Sequence, residues 1–280
     1  MGGAVAAGVD ASAGSTAHGS TALTAAIAWR NLWRNKRRTW LTAGGIAFAV
    51  LLLLFSRSIQ LGSYRGMIEA STALISGHLQ IQETRYLDEP KLEYLVPDAR
   101  QWSDWLQEHP HVVASTPRSV GFALLSVGER SFGAQVAGVD PARERRISSL
   151  PKAVAEGRYL ESGNEAVLGN LLARNLGASL GDELLVLGTG PEGGVAALAV
   201  NIVGIFRTGT SGLDRSLVQV PLETFSEGFY LGDRSSFVIA LVDDVDNVGR
   251  VKADLAGELP DGLALRVWQE MIPEVLESIA

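Results

Sequence analysis

The sequence predicts an α+β chain. One N-terminal transmembrane helix comes first, followed by an extracytoplasmic two-lobed domain: a split ferredoxin-like α/β lobe with a β-rich lobe inserted into it. Three observations predict this. A dense basic cluster runs straight into an uncharged apolar stretch that begins at Thr39. Two segments far apart in the chain repeat one strand–helix–strand plan. Between those repeats, β-type segments dominate.

Charge is unevenly spread over the 280 residues. Up to Gly62 there are six Lys or Arg and one acid, a net of +5; from Ser63 onward there are eighteen and thirty, a net of −12. An acidic bulk repels phosphate, so nucleic acid is excluded as a partner. The chain has no cysteine, which excludes disulfides, thiolate metal sites and cysteine nucleophiles.

Residues 1–22 are rich in Ala, Gly, Ser and Thr without periodicity and read as a disordered cytoplasmic tail. Residues 23–38 read as an interfacial amphipathic basic helix. Trp29 and Trp33 share an apolar face with Ala25 and Leu32, while Arg30, Arg34, Lys36, Arg37 and Arg38 supply the charge. Residues 39–76 read as the transmembrane helix and a stalk. Thr39 to Ser56 is free of ionisable groups, and about 20 residues at ~1.5 Å each cover the ~30 Å hydrocarbon core. Trp40 marks one interface and Arg57 the other, where its stem can snorkel. The basic flank holds the N-terminus in the cytoplasm, so everything after the span lies outside.

The first half of the α/β lobe is predicted at 77–149. HLQIQ alternates as a strand, and Trp102, Trp105 and Leu106 recur at helical spacing before Pro110. A strand from Val112 follows, then a hairpin across Gly128 and Glu129. The second half, 233–272, repeats the plan. SFVIALV is a strand, Val245, Val248, Val251, Leu255 and Leu259 make a helical stripe, and Leu263 to Val267 is the closing strand. The inserted lobe, 150–232, opens with a short helix over Glu165 to Leu176, then turns at Gly181-Asp182 into the strands ELLVL, AALAVNIVGIF and SLVQVPL.

No catalytic constellation emerges. Gly177-Ala178-Ser179-Leu180-Gly181 fits a G-x-S-x-G pattern, but a nucleophile elbow needs a strand before the serine and a helix after it, and the order here is reversed. Gly188, Gly190 and Gly193 fit a dinucleotide fingerprint, but a strand follows, so a hairpin loop is the reading. His109 and His111 lack a third metal ligand and suit a helix end. Asp243, Asp244 and Asp246 precede a helix and suit its N-cap. No cofactor or metal is implied.

The junction AWRNLWRNKRRTWLTAGGIAFAVLLLL, the strand GHLQIQ, the phrase EGRYLESGNEAVLGNLLARNLGASLGDELLVL, and the later VNIVGIFRTGTSGLDRSLVQVPL and VWQEMIPEVLESIA occur in a telling order. The chain resembles the N-terminal part of FtsX-like, MacB-type ABC transporter permeases, including the LolC/LolE-like lipoprotein-release branch, over about residues 25–280. The resemblance implies an inner-membrane protein with a periplasmic "porter" lobe and an inserted "sabre" lobe. It also implies partners: a cytoplasmic ABC ATPase, a second permease copy or paralogue, the lipid bilayer and a periplasmic partner. Members export lipoproteins, drugs or peptides, or pass force to outside enzymes, and do no covalent chemistry themselves. The family carries three further spans, so residues 273–280 read as the lead-in to a second one. The turn at Gly188 to Gly194 is shorter than the carrier-recruiting hairpin of the lipoprotein-release branch. The alternative is a single-pass, membrane-anchored sensor or scaffold with an α/β ectodomain.

Overall fold

The computed structural model describes residues 29, 36–71 and 76–271. The predicted tail, most of the predicted interfacial helix, and the final lead-in lie outside them. The chain divides into two units, Met1–Arg65 and Gly66–Ala280. Helix α1 (Lys36–Ser71) is the long apolar element. Its first 23 residues, Lys36–Ser58, are long and apolar enough to cross a membrane.

The rest is α/β. Strand β1 (Leu79–Glu83) leads to α2 (Ala99–Gln107), then to the long hairpin of β2 (Val112–Val127) and β3 (Arg130–Val139). Helix α3 (Pro141–Ile147) and a short 3-10 turn (Leu150–Ala153) precede β4 (Val154–Gly157), β5 (Glu165–Gly169) and α4 (Asn170–Leu176). The hairpin β6 (Glu183–Thr189) and β7 (Val195–Phe206) is followed by α5 (Ser211–Ser216), β8 (Leu217–Pro221) and α6 (Leu222–Gly228). Strand β9 (Phe237–Val242), α7 (Val248–Leu255), β10 (Leu263–Val267) and the short α8 (Trp268–Met271) complete the chain.

Strands β10, β1, β9 and β2 lie side by side in that order, every neighbouring pair antiparallel. With their helices this is the ferredoxin-like arrangement, fourth–first–third–second, as the two repeats predict. Leu79, Ile81, Val238, Ala240 and Leu265 bury one sheet face with Leu106 of α2 and Val248, Val251 and Leu255 of α7. Trp102 and Trp105 pack edge-on at its margin, 5.5 Å between rings.

The inserted segment closes a ring. β2 pairs with β3, β3 with β8, β8 with β5, β5 with β7, β7 with β6, and β6 returns to β2. Closure removes sheet edges, which would otherwise invite foreign strands. A six-stranded ring has a narrow interior. Ala123, Ala134, Ala166 and Ala196 alternate there with Leu125, Val136, Leu168, Leu184 and Val186. The stacked rings of Phe225 and Phe229, 4.2 Å apart, join this core. Gly138 and Gly188 admit them: a Cβ at either would lie 2.6 Å from Phe225 or 2.7 Å from Phe229.

β2 serves both assemblies. Its first half, Val112 to Arg118, pairs with β9, and its second half, Ala123 to Ser126, pairs with β6. One strand therefore continues from the ferredoxin-like layer into the ring.

Two local expectations change. The segment Glu165 to Leu176 is not one helix. Ala166, Val167 and Leu168 are all fully buried in β5, between β7 and β8, and helix begins only at Asn170. A continuous apolar run covered on both sides looks the same in either secondary structure. The inserted lobe also holds the short helices α5 and α6, which a β reading overlooks. Just before that lobe, helix α3 has a legible start: Asp140 accepts from the N–H groups of Ala142 and Arg143, with Pro141 in the first turn.

Candidate functional site

Three places could carry function: the anchor, the inserted lobe's turn-rich phrase, and the polar clusters on the ferredoxin-like layer.

In the anchor, Lys36, Arg37 and Arg38 form the first turn of α1, all exposed, and the Arg38 carbonyl accepts from Thr42 Oγ1 at 2.9 Å. Trp40 is 71% exposed, and Leu51 to Phe55 are exposed all round. A helix apolar on every side is at home in a protein core or in lipid. None of the Lys36–Ser58 stretch is buried within the protein. Arg57 stands 17 residues past Trp40, about 26 Å along a helix, which suits the two edges of a ~30 Å layer. Trp29 is helical and exposed. Arg30, Trp33 and Arg34 lie outside the described residues.

The phrase EGRYLESGNEAVLG is held by sterics and one ion pair. Gly157 has φ +75°, and a Cβ there would lie 2.2 Å from the Val203 carbonyl oxygen. The turn lets the Arg158 N–H donate to that carbonyl at 2.9 Å. The Arg158 guanidinium then forks onto Glu165, with Nη1 at 3.0 Å from Oε2. Arg158 donation is the main reason the Glu165 carboxyl sits below the usual carboxylate range; the Glu161 N–H also donates to it, at 2.9 Å. Gly177, left-handed at φ +63°, ends α4. Ser179 follows in a turn, its N–H donating to Asp182 Oδ2 at 2.8 Å. No histidine occurs between residues 150 and 232, so Ser179 has no imidazole base within its lobe.

On the ferredoxin-like layer, His109 and His111 join the end of α2 to the α7 region. His109 Nε2 lies 3.4 Å from Asp254, and His111 Nδ1 lies 2.9 Å from Asp243. Donation by His111, then by Asn247, holds the Asp243 carboxyl at about 2. Asp244 accepts from the Asp246 N–H, the cap expected of the acidic run. Among the described residues, no three acids or histidines converge on a metal position.

Deeper lies a buried ion pair. Arg118 of β2 and Glu144 of α3 are both out of solvent, with Nε donating to Oε2 at 3.1 Å. Nearby, the buried Tyr159 hydroxyl donates to Gln219 at 2.8 Å, and burial pushes its pKa upward. Sequence reasoning missed this pair. Arg118 within the otherwise uncharged strand Val112–Val127 was the available signal; Glu144, set among three arginines, gave none. Between α2 and α6 an open cleft of about 440 Å³ is lined by Asp98, Arg100, Glu223, Ser226, Asp233 and Arg234. Arg100 meets Glu223 there at 2.9 Å.

The MacB-like periplasmic core domain family matches residues 39–258, which takes in the anchor as well as the outer domain. The lipoprotein-releasing system transmembrane protein LolC of Neisseria meningitidis is 24% identical over 241 residues, covering 82% of this chain and 55% of LolC. The chain thus spans about half the length of that curated relative. Among solved structures, the periplasmic region of MacB from Actinobacillus actinomycetemcomitans matches with a TM-score of 0.50 at 14% identity, covering 73% of this chain and 94% of that one. The extracellular domain of the noncanonic ABC-type transporter YknZ from Gram-positive bacteria matches with a TM-score of 0.49 at 13% identity, covering 68% and 99%.

Proposed function

The chain belongs to the MacB-like periplasmic core domain family, and from that premise we propose that it works as the permease component of an ABC transporter of the MacB/FtsX/LolC type. The observation that carries the reading is the extent of the family match, which runs through an apolar helix and a mixed α/β domain in one chain. In this reading the basic flank of Lys36, Arg37 and Arg38, with Arg30 and Arg34 before it, lies on the cytoplasmic side. Trp29, Trp33 and Trp40 sit at the inner interface, and Arg57 reaches the outer one. Residues 77–149 and 233–272 are the porter lobe and 150–232 the sabre lobe, with β3 and the end of β2 running from the first into the ring of the second, and both face outward.

The work of such a chain is mechanical. A separate cytoplasmic ATPase hydrolyses ATP, α1 passes the resulting movement across the membrane, and the outer domain transmits it to cargo. No bond is made or broken by this chain's own residues. The cargo class in this reading is a lipoprotein, drug or peptide, and the permease acts as a pair with a second copy or a paralogue.

The test uses the native full-length chain recovered from solubilised membranes. It should bring down vanadate-sensitive ATP hydrolysis, and a Glu227→Cys variant should react with an impermeant maleimide in intact spheroplasts. Recovery without ATP hydrolysis would remove the transporter reading; labelling only after lysis would reverse the topology.

A further inference from the structure

The start of α1 carries more than a topology signal. Lys36 and Trp40 stand one helical turn apart, as do Arg37 and Leu41, so the four share one side of the helix. Together they line an open cleft of about 690 Å³. Lys36 and Arg37 are exposed, Trp40 is 71% and Leu41 78% exposed. Helical side chains lean toward the helix N-terminus. The two cations therefore reach away from the apolar run, and the indole lies below them, about 6 Å along the axis.

Positive charge is concentrated at this point. Arg30, Arg34, Lys36, Arg37 and Arg38 stand within nine residues, and the nearest acids in sequence are Asp10 and Glu69. From Thr39 to Ser56 the helix carries no charge at all. An occupant of the cleft thus meets cations at one end and the head of a long apolar surface at the other.

We propose that this cleft binds an anionic phospholipid, selected by its headgroup. The phosphodiester lies between Lys36 and Arg37, and the first part of an acyl chain lies along Trp40 and Leu41. Trp40 brings an indole N–H to the ester level between them. The guanidinium of Arg37 offers paired donors that match phosphate oxygens. Net negative headgroups are favoured, because a zwitterionic lipid carries an ammonium that the two cations repel. Near an anionic leaflet each Lys or Arg favours the negative surface by about five-fold. An acidic protein surface fits less well. Its carboxylates would satisfy the cations and leave Trp40 and Leu41 without an apolar partner. A phospholipid supplies the charge and the chain in the order the helix presents them. This site rests on the reading of α1 as a membrane span, and not on transport or on which side is cytoplasmic.

Trypsin offers a site-resolved test, since cleavage after Arg38 and Arg57 releases Thr39–Arg57 as one peptide. The native full-length protein is reconstituted in vesicles of phosphatidylcholine. These carry equal traces of phosphatidylglycerol and phosphatidylcholine, each with a diazirine near the top of an acyl chain. After illumination and digestion, mass spectrometry counts the adducts of each probe and places them along the peptide. At Trp40 and Leu41 the phosphatidylglycerol adduct should exceed the phosphatidylcholine adduct. The double variant Lys36→Gln/Arg37→Gln keeps Arg38, hence the same peptide, and should lower that ratio by about five-fold or more. The swap Lys36→Arg/Arg37→Lys keeps the charge and should keep most of the ratio. Equal adducts at Trp40 and Leu41 in the unaltered chain would overturn the proposal and leave the span standing. A ratio that survives the double variant would also overturn it. So would adducts confined to positions beyond Leu41, which would put another occupant, such as an acidic protein, in the cleft. No adduct of either probe on the peptide would remove the span and the lipid site together.

Discussion

Arg118 and Glu144 meet out of water, where each ion alone would be costly and the pair is tolerated because it is complete. Arg118→Met leaves the carboxylate stranded and should destabilise the outer domain by about 3–5 kcal/mol in denaturant unfolding. Adding Glu144→Leu should recover most of that loss, because the buried charge then disappears. If the double variant were as unstable as the single, the pair would be doing something other than neutralising itself. Asp243 shows the opposite, exposed case. Its carboxyl is lowered from an ordinary 3.8 to about 2 by His111 and then Asn247. A carboxyl depressed on folding adds stability above its unfolded pKa, and that stability is lost as pH falls through the folded value. Melting temperature should therefore drop between about pH 4 and pH 2. Asp243→Asn should melt lower at pH 6 and lose less over that window.

Helix α1 and strand β2 show what an element decides. The helix is apolar all round, so its partner is decided by composition alone. Phe48 lies 8 residues past Trp40 and is close to the middle of the Lys36–Ser58 span. Phe48→Arg should cost about 2.5–3.5 kcal/mol of insertion free energy. Carbonate extraction should then release a substantial fraction of a chain that otherwise stays with the membrane. Strand β2 is 16 residues long; Ala114 to Ser119 are buried without a break, and only Gly121 to Leu125 alternate. Its two successive partners, β9 and β6, lie about 120 and about 60 residues away and are not announced locally.

At the scale of the whole molecule, the shared strand makes a thermodynamic statement. A lobe that hung from two linkers could unfold by itself. Here β2 is hydrogen-bonded to the ferredoxin-like layer at one end and closes the ring at the other, and β3 runs beside it into the same ring. The outer domain of the full-length chain should therefore melt in a single calorimetric transition. Two separate transitions would mean that the lobes are independent and that β2 can fray at its middle.

What the sequence by itself determined is whatever rests on neighbours along the chain. The uncharged run from Thr39 to Ser56 specifies a membrane-compatible helix by composition. The stripe of Val248, Val251 and Leu255 and the alternation of HLQIQ specify a helix and a strand by period. Gly177 through Gly181 specify a turn, which is why Ser179 is no nucleophile elbow. Tertiary structure decided what rests on distant partners. Ala166, Val167 and Leu168 form a strand because β7 and β8 flank them, although their local pattern suits a helix. The six strands close into a ring because β6 returns to β2, and pairing across such a separation leaves no mark in either segment. Which apolar residues stay outside the ring was hidden for the same reason. ELLVL and AALAV carry apolar residues on both sides of the strand, and only closure of the ring settles which side becomes core and which is left outside.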